Sequence, residues 1–117
     1  MNEQVKSVVR EVTVASDGDR ILFPDVVKAL MSAGVERYHA DLITATKTYY
    51  MPDGSFEVVR CDRPPAPAEA FSAQRVEHAV RSIQRKDIGY PEFCSRIAAA
   101  GCVGYFVTLA GRCAFYY

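Results

Sequence analysis

With 117 residues, half of them apolar or aromatic, the chain has enough core-forming residues for one domain and too little length for two. Its 14 basic and 14 acidic residues cancel, which removes the electrostatic footprint of a nucleic-acid binder. No apolar run approaches the roughly 18 residues of a membrane span, and the opening Met1-Asn2-Glu3-Gln4-Val5-Lys6 lacks a signal peptide's apolar stretch. A cytoplasmic protein with reduced thiols is the expectation.

In chain order, Val5, Val8, Val9 and Val12 form a helical stripe that closes at Asp17-Gly18-Asp19. Phe23-Pro24-Asp25 opens a second helix, because proline in the first turn loses no hydrogen bond and an acid suits the positive end of the dipole. Val26, Val27, Leu30 and Met31 give it one apolar stripe, and Gly34 supplies the left-handed cap. Residues rich in Tyr, Thr, Val and Phe then predict strands over 37–43, 46–51 and 55–60, the last two joined by the turn Pro52-Asp53-Gly54. Arg63-Pro64-Pro65-Ala66-Pro67-Ala68 supports neither helix nor ladder and marks a linker over about 61–71. Ser72 is a suitable N-cap for a third helix over 73–85, whose apolar side is Val76, Val80 and Ile83 with Ala79 beside them, and which ends near Lys86-Asp87-Ile88-Gly89. Tyr90-Pro91-Glu92 opens a fourth helix with the stripe Phe93, Cys94, Ile97 and Ala98, and Gly101 caps it. Strands over 103–109 and 112–117 follow, joined by Ala110-Gly111.

The chain resembles itself. Laid so that Phe23 falls on Tyr90, residues 23–50 and 90–117 align without a gap, and seven of the 28 positions are identical: Pro24/Pro91, Ala33/Ala100, Gly34/Gly101, Tyr38/Tyr105, Leu42/Leu109, Tyr49/Tyr116 and Tyr50/Tyr117. The upstream helical stripes match with a one-residue slip. These observations predict an α+β fold: two copies of a helix-helix-β-meander unit related by a pseudo-twofold, with an antiparallel sheet packed against helices. Unit one covers about 3–60, the linker about 61–71 and unit two about 72–117, all within a single domain over 1–117. Nothing in unit two matches the strand over 55–60. Either the chain is shortened at its C-terminus, or one sheet edge is covered by the other unit or by another subunit.

The run Tyr90-Pro91-Glu92-Phe93-Cys94-Ser95, then Ala99-Ala100-Gly101-Cys102 and the closing Phe115-Tyr116-Tyr117, resembles the YdfO-like family of small bacterial proteins, several of them encoded by prophages. Ala33-Gly34-Val35 and Tyr38 through Tyr50 resemble that family's N-terminal half. The resemblance implies an α+β fold and a domain of unknown function. It implies no activity and no catalytic residue.

Residues able to carry chemistry are few. On the first meander His39, Asp41, Lys47 and Tyr49 can share one strand face and do acid–base work, whereas their counterparts Phe106, Thr108, Ala114 and Tyr116 carry little polarity. The plainer reading is a solvated face with Asp41 and Lys47 as a cross-strand pair. Tyr49-Tyr50 and Tyr116-Tyr117 place one ring of each pair under the helices and the other partly in solvent, so Tyr38, Tyr49, Tyr50, Tyr116 and Tyr117 join His39, Asp41 and Lys47 as candidates for a ligand groove or subunit contact. Cys61, Cys94, Cys102 and Cys113 form no C-x-x-C pair and lie far in sequence from His39 and His78, so no metal or cofactor is expected. The helix around His78, with Arg75, Arg81, Arg85 and Lys86, is modestly basic, and its acids Glu77 and Asp87 dilute that charge.

The leading expectation is a non-enzymatic accessory or protein-interaction module, homodimeric through a sheet edge or aromatic face. The alternative is a small-molecule binder or enzyme using His39, Asp41, Lys47 and Tyr49. Nucleic-acid contact through residues 74–86 is the third reading.

Overall fold

The computed structural model describes residues 1–117. Nine elements follow in the order α1 (Glu3–Asp17), α2 (Phe23–Ser32), β1 (Arg37–Asp41), β2 (Thr46–Tyr50), β3 (Phe56–Arg60), α3 (Ala73–Gln84), α4 (Tyr90–Ala99), β4 (Gly104–Thr108) and β5 (Cys113–Tyr116). The five strands form one antiparallel sheet in the order β3-β2-β1-β4-β5, and the helices cover one of its faces. The fold is α+β, as expected. No helix is long and apolar enough to cross a membrane.

Local signals set most helix ends. Asn2 accepts from the Val5 N–H at 2.9 Å and Ser72 from the Arg75 N–H at 3.2 Å, so α1 and α3 begin at side-chain caps. Helices α2 and α4 begin instead at Pro24 and Pro91, with no side-chain cap. All four helices close the same way, with paired bonds back into the last turn such as Val35 N–H to Leu30 O and Gly34 N–H to Met31 O. The residue that turns left-handed is Gly34 (φ 84°) after α2 and Gly101 (φ 85°) after α4. After α1 and α3 it is Asp19 (φ 56°) and Lys86 (φ 63°), and Gly18 keeps an ordinary φ.

The elements recur at the offset that sets Phe23 on Tyr90: α2 and α4, β1 and β4, and β2 and β5 all begin that far apart. Helices α1 and α3 end at the same offset, at Asp17 and Gln84, so the upstream match needs no slip. The β4–β5 turn turns left-handed at Arg112 (φ 50°) and not at Gly111, as the β1–β2 turn does at Ala45 (φ 56°). The first five elements and the last four meet at β1 and β4, whose ladder centres on His39 opposite Phe106. The ladder is bracketed by Leu42 N–H to Val103 O and Leu109 N–H to Glu36 O, both 3.0 Å.

The core lies between helices and sheet. Val9, Val12, Leu30, Val76, Phe93 and Ile97 descend from the helices onto Tyr38, Ala40, Tyr49, Tyr105 and Val107. All of the predicted α4 stripe is buried. In α2 only Val26 and Leu30 are, and Met31 is 51% exposed because it lies past the edge of the face that meets the core. Strand β3 and strand β5 are the two sheet edges, and no strand lies beyond β5.

Candidate functional site

The β1–β2 hairpin decides which polar residues meet. Its four-residue connection puts Tyr38 opposite Tyr49, Ala40 opposite Lys47, His39 opposite Thr48 and Asp41 opposite Thr46. Directly opposed residues share a face. Lys47 and Tyr49 therefore face the helices with Tyr38, and His39 and Asp41 stand on the other side of the sheet. The expected cluster of His39, Asp41, Lys47 and Tyr49 does not exist, and Asp41 and Lys47 are not a pair. The predicted strands, 37–43 and 46–51, left the phase across the turn open, and only the ladder register sets it.

On the uncovered face, His39 stacks on Phe106 at 4.3 Å and its Nε2 lies 2.6 Å from the Tyr117 hydroxyl. The Arg37 guanidinium sits 4.4 Å above the Tyr50 ring. Asp41 accepts N–H bonds from Ile43 and Thr44 at 2.9 and 3.1 Å. Burial pulls its pKa up, but these bonds together outweigh burial and hold it below the usual carboxylate value. Asp41 thus shapes its own turn. Phe56, Val58, Phe106, Phe115 and Tyr117 are exposed on this face, beside the polar Arg37, His39, Asp41 and Thr48.

The opposite face carries a cavity of about 470 Å³ between the sheet and the two inter-helix loops. It is within the size range of small-molecule sites. Five pairs of its lining residues stand at the repeat offset: Ser16/Ile83, Asp19/Lys86, Ile21/Ile88, Leu22/Gly89 and Phe23/Tyr90. The N-termini of α2 and α4 both border it; each has a proline, without an N–H, in its first turn, and the Asp25 N–H of α2 already bonds to Leu22 O at 3.0 Å. The loops touch closely: a Cβ on Gly89 would fall 2.1 Å from Asp19 Oδ1.

Lys47 lines this cavity from the sheet and is only 4% exposed. Its Nζ lies 4.1 Å from the centre of the Tyr90 ring, and no carboxylate or hydrogen-bond acceptor in the chain pairs with it. Burial pushes its pKa below the usual lysine value, against the weaker upward pull of Cys94, Cys61 and Asp17. The facing acid, Asp17, accepts the Asp62 N–H at 3.0 Å, and burial raises its own pKa.

Tyrosines surround the lysine. Tyr38 lies 5.3 Å from Tyr49 and 6.3 Å from Tyr105, ring centre to ring centre. The Tyr49 hydroxyl bonds to Thr13 Oγ1 at 2.8 Å, and Tyr90 bonds to Tyr105 at 2.6 Å. Burial raises the pKa of Tyr38, Tyr49, Tyr90 and Tyr105, so all four remain protonated donors. Burial also raises Cys94, which therefore stays a thiol and is no nucleophile.

Of the sequence-predicted candidates, the structure brings Tyr38, Lys47 and Tyr49 to the cavity, and leaves His39, Asp41, Tyr50 and Tyr117 on the uncovered face. Tyr116 packs beneath the helices against Tyr105 and Phe93. Sequence reasoning missed Tyr90, Asp19, Lys86 and Asp87. The signal available was the repeated aromatic-Pro-acid helix opening, which lacks a capping side chain both times. On α3, Arg81 pairs with Glu77 and Arg85 with Asp87, so the basic helix is locally compensated.

No curated protein matches this chain. Residues 6–117 match the family described as Protein of unknown function (DUF1398). The match spans both halves, the linker and every strand, and the chain belongs to this family.

Proposed function

We propose that this chain is a small-molecule-binding domain whose ligand is a compact organic acid with an apolar or aromatic body. One observation carries the reading: a buried lysine without an acid partner lines a cavity of about 470 Å³. The Nζ has no acceptor within the chain and is not a sealed, unsatisfied atom, because it opens into the cavity. A partly desolvated ammonium at that position favours an anionic partner. The acid group meets Lys47 in the cavity bordered by the N-termini of α2 and α4, each of which already carries an acid of its own in the first turn, Asp25 and Glu92. Tyr38, Tyr49 and Tyr90 flank the body of the ligand, and Lys47 is the polar anchor at the floor. Asp19 and Asp87 also stand at the rim, the latter engaged by Arg85 at 3.0 Å, and Lys86, next to Asp87 in sequence, lines the cavity as well.

Calorimetry and thermal shift with benzoate, aliphatic monocarboxylates and their neutral amides test this. Acids raise the melting temperature and amides do not. At a hundredfold excess over Kd the gain is about 2.7 kcal/mol. Lys47→Met abolishes it. An equal response to acid and amide sinks the reading.

The uncovered face supports a second reading, a homodimer or protein contact through Phe56, Val58, Phe106, Phe115 and Tyr117. We also read the two halves as copies of one duplicated unit, and the chain as a cytoplasmic, YdfO-like protein of prophage origin. Recurrence of turns and element starts at one common offset supports the duplication, and so does the matched geometry of Tyr38–Tyr49 and Tyr105–Tyr116, each pair 5.3 Å apart at 34°.

A further inference from the structure

We propose that Lys47 is an imine-forming amine, and that the ligand class is therefore oxo acids, molecules with an aldehyde or ketone placed a few ångströms from a carboxylate. The inference rests on the ligand-binding reading and deepens it.

Lys47 is anchored on a central part of the sheet, between Ala40 on β1 and Val59 on β3. Its Nζ emerges against the face of Tyr90, not toward a carboxylate. The aromatic face favours the ammonium less strongly than a carboxylate would, and burial, the larger effect, pulls the pKa down and so makes the free amine easier to reach. A lysine that opens into a cavity with its pKa lowered by burial releases its proton more readily than a surface lysine, and the amine so freed is a nucleophile toward carbonyl carbon. The alternatives that make a buried lysine inert, an ion pair or a saturated hydrogen-bond shell, are both missing. The counterpart position in the second half is Ala114, which is exposed, so packing alone does not require a long side chain at this place in the meander.

The step balances without a further reagent. The Nζ lone pair forms a bond to the carbonyl carbon as the C=O π bond breaks. A proton moves from nitrogen to oxygen to give the carbinolamine. The second C–O bond then breaks, the oxygen leaves as water with the remaining N–H proton, and a C=N bond closes. Tyr38 lines the same cavity as a protonated phenol, able to hand a proton to the departing oxygen and recover it from nitrogen.

The test treats the full chain with 4-formylbenzoate and sodium cyanoborohydride, then reads the intact mass and maps the modified peptide. The chain has three other lysines, Lys6, Lys28 and Lys86, all more exposed than Lys47. Apart from the Met1 α-amine, which peptide mapping separates, the expected result is one reduced adduct, at Lys47, formed at least tenfold faster than at those three and suppressed by excess benzoate. Benzaldehyde, lacking the acid, labels at least tenfold more slowly. Lys47→Met loses the adduct, with far-UV circular dichroism to show that it folds. Because the site is mapped on the wild-type chain, a misfolded variant does not blunt the result. Labelling spread over Lys6, Lys28 and Lys86 with Lys47 spared overturns the inference. If benzoate still raises the wild-type melting temperature in that case, acid binding stands and only imine formation falls. If benzoate has no effect either, both fall.

Discussion

Burying Lys47 moves an ammonium out of water with no acid to meet it, and the consequence is a pH dependence of fixed sign. The folded-state pKa is depressed below the ordinary 10.5. Between those two values the unfolded chain holds the proton and the folded chain has released it, so Lys47 makes stability rise with pH in that window. Below the folded value both states carry the charge, and its burial weighs against folding in full. Lys47→Met is therefore expected to be more stable than wild type by about 1–3 kcal/mol at neutral pH, by urea denaturation. The gain shrinks as pH climbs toward 10.5. Cys61, raised to about 11, and Tyr116, raised to about 12, act in the opposite sense above their ordinary values of 9.0 and 10.0. The difference between wild type and variant isolates the lysine. A gain independent of pH would contradict the assignment. At this scale Gly34 and Gly101 share a left-handed φ, yet their surroundings differ. A Cβ at Gly34 meets only the Met51 tip at 3.5 Å, whereas at Gly101 it would lie 2.2 Å from the Ala70 carbonyl oxygen. Gly34→Ala should cost about 1–2 kcal/mol from backbone strain alone. Gly101→Ala should cost at least twice as much, because linker backbone must move. Equal losses in urea denaturation would contradict this.

Helix boundaries were legible because each rests on one or two local residues: Ser72, Pro24, Pro91, Gly34 and Gly101 all act where their chemistry suggests. The exceptions are the ends of α1 and α3, where Asp19 and Lys86 turn left-handed in place of a glycine; Gly18 keeps an ordinary φ and Gly89 is the residue before α4. Strands were legible as elements but not as faces. The partition of His39 and Asp41 from Lys47 and Tyr49 depends on how many residues the turn spends between Asp41 and Thr46, and a shift of one would have exchanged the faces. The same partition leaves uncovered a sheet face on which apolar residues stand beside polar ones. Val58 and Phe115 are 52% and 62% exposed there, on strands at opposite edges. The variant Val58→Lys/Phe115→Lys should change folding stability by no more than about 0.5 kcal/mol per site, while sedimentation equilibrium shows wild-type dimers replaced by monomers. A wild-type chain that stays monomeric at hundreds of micromolar would remove the self-association reading.

Across the whole molecule, the two halves are joined by one ladder, β1 to β4, and by helices that reach across it, with α1 against α4. Their buried residues form a single cluster, so neither half closes a core alone. A half of about 60 residues buries too little surface to be more than marginal. Residues 1–62 and 63–117, expressed apart, should each lack cooperative melting, and mixing them should restore a one-to-one complex with the intact chain's circular dichroism. Independent folding of either piece would refute the shared interior. What the sequence alone determined were the features carried by neighbouring residues: four helices, five strands, the linker, the repeat spacing and the exclusion of a membrane-spanning helix, because caps, turns and periodicity act over a few positions. The tertiary structure alone decided the site. Lys47, Tyr38 and Tyr90 lie 9 to 52 positions apart in the chain, and only pairing register and the closure of helices over the sheet bring their side chains to one cavity.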